Sequence, residues 1–292
     1  MDGVAVTARD LGLKGPRGWV FRGVLLDAEP GSLIAVEGPS GSGRTCLLLA
    51  LTGRMKATEG TAVVGGAPLP KRMAAVRRVS ALAHVAGVTD LDPALTIGEH
   101  LRERALLQRR FGDSVRGLLR PRAERRSEER QRIDAALAAA GLDPQALPKG
   151  PRTAVRDLER PEALRLSVAL ALLGRPRLLG VDDTDLKLSP AERTGIWNLL
   201  RSVAEAGTTV LAVCSEAPEG AVVVSTGTGG TADTAGLPAG GSREAHDPRD
   251  ETGAAHEAAP VREADAAREA DAADETDAAK EAPGALTETG RS

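Results

Sequence analysis

The sequence predicts an α/β fold, and three observations carry this prediction. A strand-like run, SLIAVEG, leads directly into a glycine-rich loop that ends at Thr45, and a helix-like run, TCLLLALTGRM, overlaps its end and follows it. Further strand-like and helix-like runs alternate as far as AVVVS, which ends at Ser225. Between them, the stretch from Leu95 to about Leu173 is predicted to be mostly helical. We therefore expect a sheet that carries a helical insertion.

The individual elements are predicted from their residue patterns in chain order. VAVTA and WVFRGVLL are strand-like, and GTAVVGG is a strand that we expect to follow a turn at Glu59 and Gly60. The first helix of the insertion is expected to begin after Thr96, a capping residue, and a second helix to end at Gly141. After the apolar run RLLGVDD, an amphipathic helix starts with Ser189 as its cap, and the apolar run TTVLAVCS follows it.

Charge divides the chain near Ser225. Residues 225–292 contain 15 acidic and 6 basic side chains, a net charge of −9, which leaves +6 for the remainder because the total is −3. Large apolar side chains are sparse in this tail, so it cannot bury enough surface to offset the entropy lost on ordering. We expect the tail to be disordered, either as a solubilising segment or as a docking segment.

The composition also limits the location and the partners. No run of about 20 apolar residues suggests a membrane span, and the first residues, MDGVAVTARD, lack the basic and apolar regions of a signal peptide. A cytoplasmic location is therefore expected. The two cysteines indicate neither a disulfide framework nor a metal cluster. Nucleic acid is not an expected partner, because few aromatic rings are present for base stacking: Trp19, Phe21, Phe111 and Trp197.

The glycine-rich loop GPSGSGRT has the spacing of a Walker A motif, with a strand before it and a helix after it. Glycines let backbone N–H groups approach a phosphate closely, and the helix N-terminus favours the anion. We therefore predict that ATP binds along this segment and that Thr45 holds Mg²⁺; an ordinary glycine turn is the alternative. The predicted binding residues are Gly38, Pro39, Ser40, Gly41, Ser42, Gly43, Arg44, Thr45 and Cys46.

Two further positions bear on this site. Arg44 stands where such loops carry lysine, and its planar guanidinium does not fit the same cradle as a slim ammonium group. We expect binding to survive and phosphate positioning to suffer. The run RLLGVDD ends an apolar strand with Asp182, where a Walker B aspartate would hold the Mg²⁺ shell through water. Taken alone, Asp182 could equally be the end of a strand.

Three more segments extend the similarity beyond the loop. DLDPALTIGEHL, LSVALALLGRPRLLGVDD and GTTVLAVCSE follow one another as in ATP-binding cassette (ABC) transporter ATPase subunits, and the chain resembles that family from about Val4 to Ser225. The resemblance implies a P-loop NTPase fold of the ABC-ATPase type, with a sheet core, an N-terminal antiparallel β part and a helical subdomain at about residues 95–173. It implies an ABC-type ATP-binding domain at residues 1–225. The acidic tail, residues 226–292, lies outside the resemblance.

The resemblance also implies cofactors and partners. ATP and Mg²⁺ would be bound, and ATP would close two cassettes head to tail, as a homodimer or as a heterodimer with another cassette. Hydrolysis would reopen them and drive a membrane permease subunit that is a separate chain. The protein would then lie in the cytoplasm, peripherally at the inner face of the membrane.

Several positions that carry the family's chemistry differ in this chain. Asp183 stands where the catalytic glutamate follows Walker B, and its carboxylate is retracted by about one C–C bond, roughly 1.5 Å. His84 replaces the Q-loop glutamine and Ser215 the switch histidine, which completes the implied catalytic positions. The signature motif of the family falls at residues 158–162. There Glu159 would direct a carboxylate at a polyphosphate, and Pro161 removes an amide donor, although it also suits a helix start. We expect hydrolysis to be weak or lost.

Alternative interpretations remain for three features. The base-stacking position falls at Lys14 or Gly15; Trp19 or Phe21 could replace the missing ring, although a core position is favoured for both. The arginine-rich run Arg102–Arg132 is either a solvated face of the helical subdomain or a surface for anionic lipid or nucleic acid. The chain as a whole could instead be an active ATPase with atypical residues, or a non-catalytic interaction protein that retains the cassette fold.

Overall fold

The computed structural model describes residues 2–112 and 122–226. The acidic tail beyond Thr226 and the middle of the arginine-rich run, for which predictions were made above, therefore lie outside the described residues. The chain divides into two units, Met1–Asp233 and Thr234–Ser292, and every described residue belongs to the first. None of the helices in that described part is long and apolar enough to cross a membrane.

An antiparallel sheet forms the N-terminal part, as predicted. Within the described residues it contains β1 (Val6–Gly15), β2 (Gly18–Ala28), β4 (Glu59–Val64) and β5 (Ala67–Leu69). The strands lie in the order β2-β1-β4-β5, and each neighbouring pair is antiparallel. The strands β1 and β2 are joined through the short connection between Gly15 and Gly18, which sets them side by side as a hairpin.

Glu59 and Gly60 do not form a turn before β4; they are the first residues of that strand. Gly60 has a φ of 70°, and a Cβ there would collide with the carbonyl oxygen of Asp10 on β1. The pairing of β1 with β4 is irregular between Arg9 and Gly12, so Gly60 accommodates a β-bulge. The predicted turn is therefore wrong, because a glycine that serves a bulge has the same local pattern as one that serves a turn.

A parallel sheet forms the second layer. Among the described residues it contains β3 (Leu33–Glu37), β6 (Ser80–Ala83), β7 (Leu178–Val181), β8 (Thr209–Cys214) and β9 (Val222–Ser225), in the order β6-β7-β8-β3-β9. The strands β6, β7 and β8 are buried along their whole length, because both faces of the sheet are covered. The carboxyl ends of β3, β7 and β8 lead into the glycine loop, Asp182 and Ser215, so these three segments share one edge.

The helices follow the predicted caps. In the described part they are α1 (Arg44–Leu51), α2 (Met73–Val79), α3 (Ile97–Gly112), α4 (Arg122–Ala139), α5 (Arg160–Leu172) and α6 (Pro190–Glu205), with short 3₁₀ turns at Pro144–Ala146, Gly150–Arg152 and Val155–Asp157. The hydroxyls of Thr96 and Ser189 each accept from the backbone amide three residues later at 3.3 Å. Gly141, with a φ of 59°, follows the end of α4. Helix α2 and strand β6 were not predicted, because MAAVRRVSALA has no turn residue between its helical and extended parts.

Two apolar clusters fill opposite faces of the parallel sheet. Ala35 on β3 belongs to the cluster beneath α5 and α6, whereas its neighbours Ile34 and Val36 belong to the cluster shared with α1 and the antiparallel sheet. Trp197, 6% exposed, fills the first cluster, and Phe21, 1% exposed, fills the second. Burying side chains of this size contributes about 2 kcal/mol each. The sheet edge that carries the site is thus supported by packing on both faces.

Candidate functional site

The glycine loop runs from the end of β3 to the start of α1 and is shaped by three glycines. Gly38, Gly41 and Gly43 have φ values of 152°, 81° and 84°, a region that other residues rarely occupy. A Cβ on Gly43 would lie 2.5 Å from the carbonyl oxygen of Val20 on β2, so only glycine fits there. Gly43 is also the N-cap of α1. The first amides of that helix have no partner within it and can face an anion.

Thr226, the last described residue, fastens the loop from the side of β9. Its hydroxyl lies 2.6 Å from the hydroxyl of Ser42, and its backbone amide donates to the carbonyl oxygen of Glu37 at 3.0 Å. Thr226 is buried, and a Cβ on Gly38 would collide with its hydroxyl. Hydrogen bonds from Thr226 therefore hold the loop and its preceding strand on one side, and the backbone of Val20 packs close to Gly43 on the other.

Thr45 and Asp182 meet at the edge of the sheet although 137 residues separate them in the sequence. The Thr45 hydroxyl donates to Oδ2 of Asp182 at 2.8 Å, and the backbone amide of Asp183 donates to Oδ1 at 3.0 Å. Asp182 is 4% exposed, and this burial raises the pKa of its carboxyl, while the bond from Thr45 opposes the rise. A buried carboxylate beside a hydroxyl supplies the oxygen ligands that Mg²⁺ prefers. These residues therefore fit a magnesium ion.

Arg44, the first residue of α1, extends to the opposite strand. Its Nη1 donates to the carbonyl oxygen of Cys214 at the end of β8. The positive charge of Arg44 also lowers the pKa of Asp182, although it is the weakest of the influences on that carboxyl. The guanidinium thus links α1 to the residue before Ser215. This bond engages Nη1 alone and a guanidinium carries five N–H donors, so Arg44 can contact a phosphate without releasing the Cys214 carbonyl.

His84 follows β6 in a left-handed backbone conformation, with a φ of 55°. Its backbone amide donates to the hydroxyl of Ser167 at 2.7 Å, and its side chain is half-buried. Burial lowers the pKa of the imidazole and the charge of Arg160 lowers it further, while Asp183 and Asp90 act in the opposite direction. The imidazole is therefore neutral at pH 7, and it can either donate or accept a hydrogen bond but carries no charge.

Asp183 and Ser215 lie on neighbouring segments of the site. Asp183 is half-buried and has a φ of 48°, which is uncommon for a residue with a side chain. Ser215 is exposed, and its backbone amide donates to Oδ2 of the buried Asp185 at 2.6 Å. The segments after β7 and β8 are therefore joined through Asp185. Among the hydrogen bonds of the described residues, none joins the side chains of Asp183 and Ser215.

Two free cysteines flank the site, and both thiols are weakly acidic. Burial raises the pKa of Cys46, in the first turn of α1, and the charge of Asp182 raises it further. Burial also raises the pKa of Cys214 to about 12, with added effects from Asp185 and Glu37. Because the thiolate is the reactive form of cysteine, both shifts lower the reactivity of these thiols at neutral pH.

The signature segment forms the start of α5. Glu159 is the exposed N-cap, its backbone amide donates to Oε2 of Glu162 at 2.8 Å, and Pro161 stands in the first turn. This arrangement agrees with the interpretation that Pro161 suits a helix start, and α5 ends at Leu172. Between these residues, Arg160 donates from Nε to the carbonyl oxygen of Leu186 at 2.6 Å. The segment thus carries carboxylate and guanidinium groups at the start of α5.

The two aromatic residues of β2 have different environments. Phe21 is a core residue, as favoured from the sequence. Trp19 is half-buried and belongs to neither apolar cluster, so the core position favoured for it from the sequence is wrong. The guanidinium carbon of Arg22 lies 4.8 Å from the centroid of the Trp19 ring and the ammonium of Lys14 lies 5.6 Å from it. Trp19 stands near the hairpin end opposite Lys14, where long cationic side chains cover the ring.

Three residues of the site were not identified from the sequence: Thr226, Asp185 and Arg160. Each of them bonds to a segment that is distant along the chain, 184, 30 and 26 residues away respectively. For Asp185 and Arg160 the available signal in the sequence was their closeness to a motif, since they lie within two residues of Asp183 and Pro161. Residues beside a motif can therefore belong to the site even where the motif does not include them.

The fold and the site together define a P-loop nucleotide-binding protein. A family model described as ABC transporter matches residues 21–185, more than half of the chain, so the chain belongs to the ABC transporter family as an ATP-binding cassette. Nod factor export ATP-binding protein I of Cupriavidus metallidurans is 33% identical over 187 residues, which cover 64% of this chain and 54% of that protein. Fe(3+) ions import ATP-binding protein FbpC of Streptomyces avermitilis is 34% identical over 201 residues, 68% of this chain and 52% of that protein. The chain spans about half the length of these two curated relatives.

Solved structures share the fold. A dimeric bacterial ABC transporter cassette superimposes with a TM-score of 0.56 at 21% identity, covering 72% of this chain and 88% of that one. The structure of cbiO1 from Clostridium perfringens, part of the ABC transporter complex cbiONQ, gives a TM-score of 0.57 at 18% identity, covering 72% and 78%. The predicted fold class, a P-loop NTPase of the ABC-ATPase type, is therefore confirmed, and at these identities the likeness extends to the fold alone.

Proposed function

We propose that this protein is the nucleotide-binding subunit of an ABC transporter, which binds ATP with Mg²⁺ at the glycine loop and couples that binding to a separate membrane permease. The observation that carries the proposal is the 2.8 Å bond between Thr45 and Asp182, because it joins the two sources of magnesium ligands. The names of the relatives, which are export and import ATP-binding proteins, support it.

Each group around the loop has a distinct role in this proposal. Backbone amides between Gly38 and Cys46 hold the phosphate oxygens, since the glycines bring the main chain close to them. The Thr45 hydroxyl and the Asp182 carboxylate hold Mg²⁺. Arg44 supplies positive charge, while its Nη1 is bonded to the Cys214 carbonyl. ATP supplies a phosphoanhydride bond whose cleavage releases free energy.

We further propose that hydrolysis is weak or lost. The carboxylate of Asp183 is one methylene shorter than that of glutamate, a displacement of about 1.5 Å, and misplacement on this scale can reduce a rate on the order of 10²-fold. The neutral His84 and the exposed Ser215 provide neither an amide nor an imidazolium for the phosphate. Three weakened positions act on the same reacting group, so restoring one of them would not restore the rate.

A partner cassette would meet a further obstacle. In this proposal a second cassette, identical or different, approaches the start of α5 with its bound nucleotide. Glu159 is exposed there and carries a negative charge, which repels a polyphosphate, and Pro161 has no N–H to donate. Hydrolysis at a site shared between two copies would therefore be impaired in both halves.

A groove beside the insertion supports pairing with a permease. A cavity of about 210 Å³ opens between α3, α5 and the segment after β6, and its walls include Leu82, Leu91 and Leu170. Val88 and Leu107 also line it, and they are 52% and 42% exposed, which leaves apolar surface for a partner to cover. In this proposal a membrane subunit covers these apolar side chains and meets the charged lining residues Asp90, Glu103 and Arg104. Such pairing would hold the protein at the inner face of the membrane.

A non-catalytic scaffold is the second candidate function. The contact between Arg44 and the Cys214 carbonyl favours it, because the principal cation of the loop is engaged by the protein itself. In that case the cassette fold would bind a permease or a regulator independently of ATP. The active ATPase with atypical residues remains the third possibility, in which Arg44 grips phosphate and Asp183 polarises water.

The test is a titration of the purified protein with a fluorescent ATP analogue, with Mg²⁺ or with EDTA, and phosphate release measured in the same samples. We expect Mg²⁺-dependent binding with little or no phosphate release, and no restoration of release in Arg44→Lys. Arg165→Lys is the matched control, because Arg165 binds the carbonyls of Ala140 and Gly141 instead. Rapid phosphate release would establish the active ATPase, and absence of binding would favour the scaffold.

A further inference from the structure

The three residues after Asp183 each bond to another segment, two of them to the end of β8 and one to the start of α5. The Thr184 hydroxyl donates to the carbonyl oxygen of Val213 on β8 at 2.8 Å. The Asp185 carboxylate accepts from the backbone amide of Ser215 at 2.6 Å. The Leu186 carbonyl accepts from Nε of Arg160 at 2.6 Å. The segment 184–186 therefore joins β7, the end of β8 and the start of α5 within three residues.

The backbone of this segment depends on such contacts. Asp183 and Lys187, which flank it, have φ values of 48° and 58° although neither is glycine. Non-glycine residues persist in this left-handed region only when surrounding contacts determine their conformation. Two of the three contacts connect neighbouring strands of the same sheet and are local to it. The contact with Arg160 is the one that comes from the helical insertion.

Arg160 lies between the two candidate catalytic segments. It is the first residue of α5, its side chain is half-buried, and the Leu186 carbonyl is its one hydrogen-bond partner in the described part of the chain. Its charge also reaches His84, where it lowers the imidazole pKa after the larger effect of burial. One guanidinium therefore influences both the segment after β6 and the segment after β7.

We propose that Arg160 is a positioning residue: by holding the Leu186 carbonyl, it fixes residues 183–186 and thereby the carboxylate of Asp183. The inference rests on the proposed function in so far as Asp183 faces the nucleotide. A consequence is that the signature segment influences the position of Asp183 in its own chain. Any partner that displaces the first turn of α5 moves Asp183, and displacements well below 1 Å matter for a reacting group.

A purely structural role for Arg160 predicts different behaviour. In that case its loss would lower the stability of the whole unit and would not act selectively on residues 183–188. Arg165 on the same helix provides the comparison, because its guanidinium also binds main-chain carbonyls, those of Ala140 and Gly141 at 3.2 and 3.1 Å. The two arginines therefore share the helix and the type of bond and differ in the segment they hold.

The experiment is hydrogen exchange followed by mass spectrometry on the full chain, without nucleotide and with saturating ATP and Mg²⁺. Without nucleotide, Arg160→Gln should speed exchange at residues 184–188 on the order of tenfold, whereas Arg165→Gln should act near residues 140–142. Arg160→Lys should restore part of the protection, because its ammonium can still donate to the carbonyl. With nucleotide at a concentration that saturates each protein, the additional protection of residues 183–188 should be lost in Arg160→Gln.

Each contrary outcome is distinguishable. Unchanged exchange at residues 184–188 in Arg160→Gln would show that Arg160 does not hold this segment. Faster exchange spread evenly over the chain would show that its role is structural only. Nucleotide-dependent protection that survives Arg160→Gln would overturn the positioning of Asp183. If the unchanged protein binds no nucleotide, the proposed function fails. Exchange in the absence of nucleotide still decides whether Arg160 holds residues 184–188.

Discussion

Replacing Asp182 with asparagine should separate the stability of the site from its function. The carboxylate accepts one hydrogen bond from the Thr45 hydroxyl and one from the Asp183 amide. An asparagine side chain can satisfy both groups, because its oxygen accepts from the amide while its NH₂ donates to the hydroxyl oxygen. The variant therefore loses a buried charge and keeps both contacts, with the direction of the bond to Thr45 reversed.

The magnitude follows from the burial of this carboxylate. Burial is the largest influence on Asp182 and raises its pKa, so the ionised form is disfavoured in the folded protein relative to the unfolded chain. We expect Asp182→Asn to raise the free energy of unfolding at neutral pH by about 1 kcal/mol, the scale of a partly compensated buried polar group. Loss of the charged ligand should weaken Mg²⁺-dependent nucleotide binding by about tenfold or more.

The stability difference should also depend on pH. Because the folded-state pKa of Asp182 is raised, the penalty on the unchanged protein is absent below the ordinary value of 3.8 and complete above the raised value. The stability advantage of Asp182→Asn should therefore be largest near neutral pH and should disappear as the pH falls toward about 4.

Two measurements check this prediction. Urea unfolding at neutral and acidic pH gives the stability difference, and titration with a fluorescent nucleotide in Mg²⁺ or EDTA gives the binding difference. Asp134→Asn, at an exposed position on α4, is the matched control and should change neither quantity. The reasoning would be refuted by an Asp182→Asn protein that is less stable than the original at neutral pH, or one that binds Mg²⁺ and nucleotide as tightly.

Three further predictions follow from individual residues. Gly43→Ala should lower the free energy of unfolding by about 2 kcal/mol or more, because φ at this position is 84° and the new Cβ would meet the Val20 carbonyl. Gly41→Ala, whose Cβ would lie in open space, should lower it by about 1 kcal/mol. Urea unfolding compares the two variants. Cys214, with a pKa of about 12, should react with iodoacetamide only as the protein unfolds, so rapid labelling of the native protein would contradict its burial. Ser189→Ala should lower stability by about 1 kcal/mol, with Ser189→Asp restoring most of it in thermal unfolding.

Short-range interactions explain which elements could be predicted from the sequence. The caps at Thr96 and Ser189 depend on side chains that bond to the backbone three residues later, so neighbouring residues are sufficient to identify them. The glycine loop between β3 and α1 is also recognisable from neighbouring residues alone, because its glycines follow one another at a fixed spacing. Gly60 was misinterpreted because a bulge depends on the partner strand, which a local pattern does not contain.

The candidate site could be predicted only where a motif implies long-range geometry. The spacing of the glycine loop and the acid that ends β7 imply that Thr45 and Asp182 approach each other, as they do. The remaining contacts have partners that carry no distinctive side-chain chemistry, since a backbone carbonyl or a hydroxyl occurs in most segments. These contacts are Arg44 with Cys214, Thr226 with Ser42 and Arg160 with Leu186.

The contact between Thr226 and Ser42 has a practical consequence for any study that shortens the chain. A protein cut after Ser225 lacks the hydroxyl and the amide that hold Ser42 and Glu37, whereas one cut after Thr226 keeps both. Two truncated proteins that differ by a single residue should therefore differ in how firmly the phosphate-binding loop is held. Weaker nucleotide binding by the shorter protein would then result from the missing threonine and not from removal of the acidic tail.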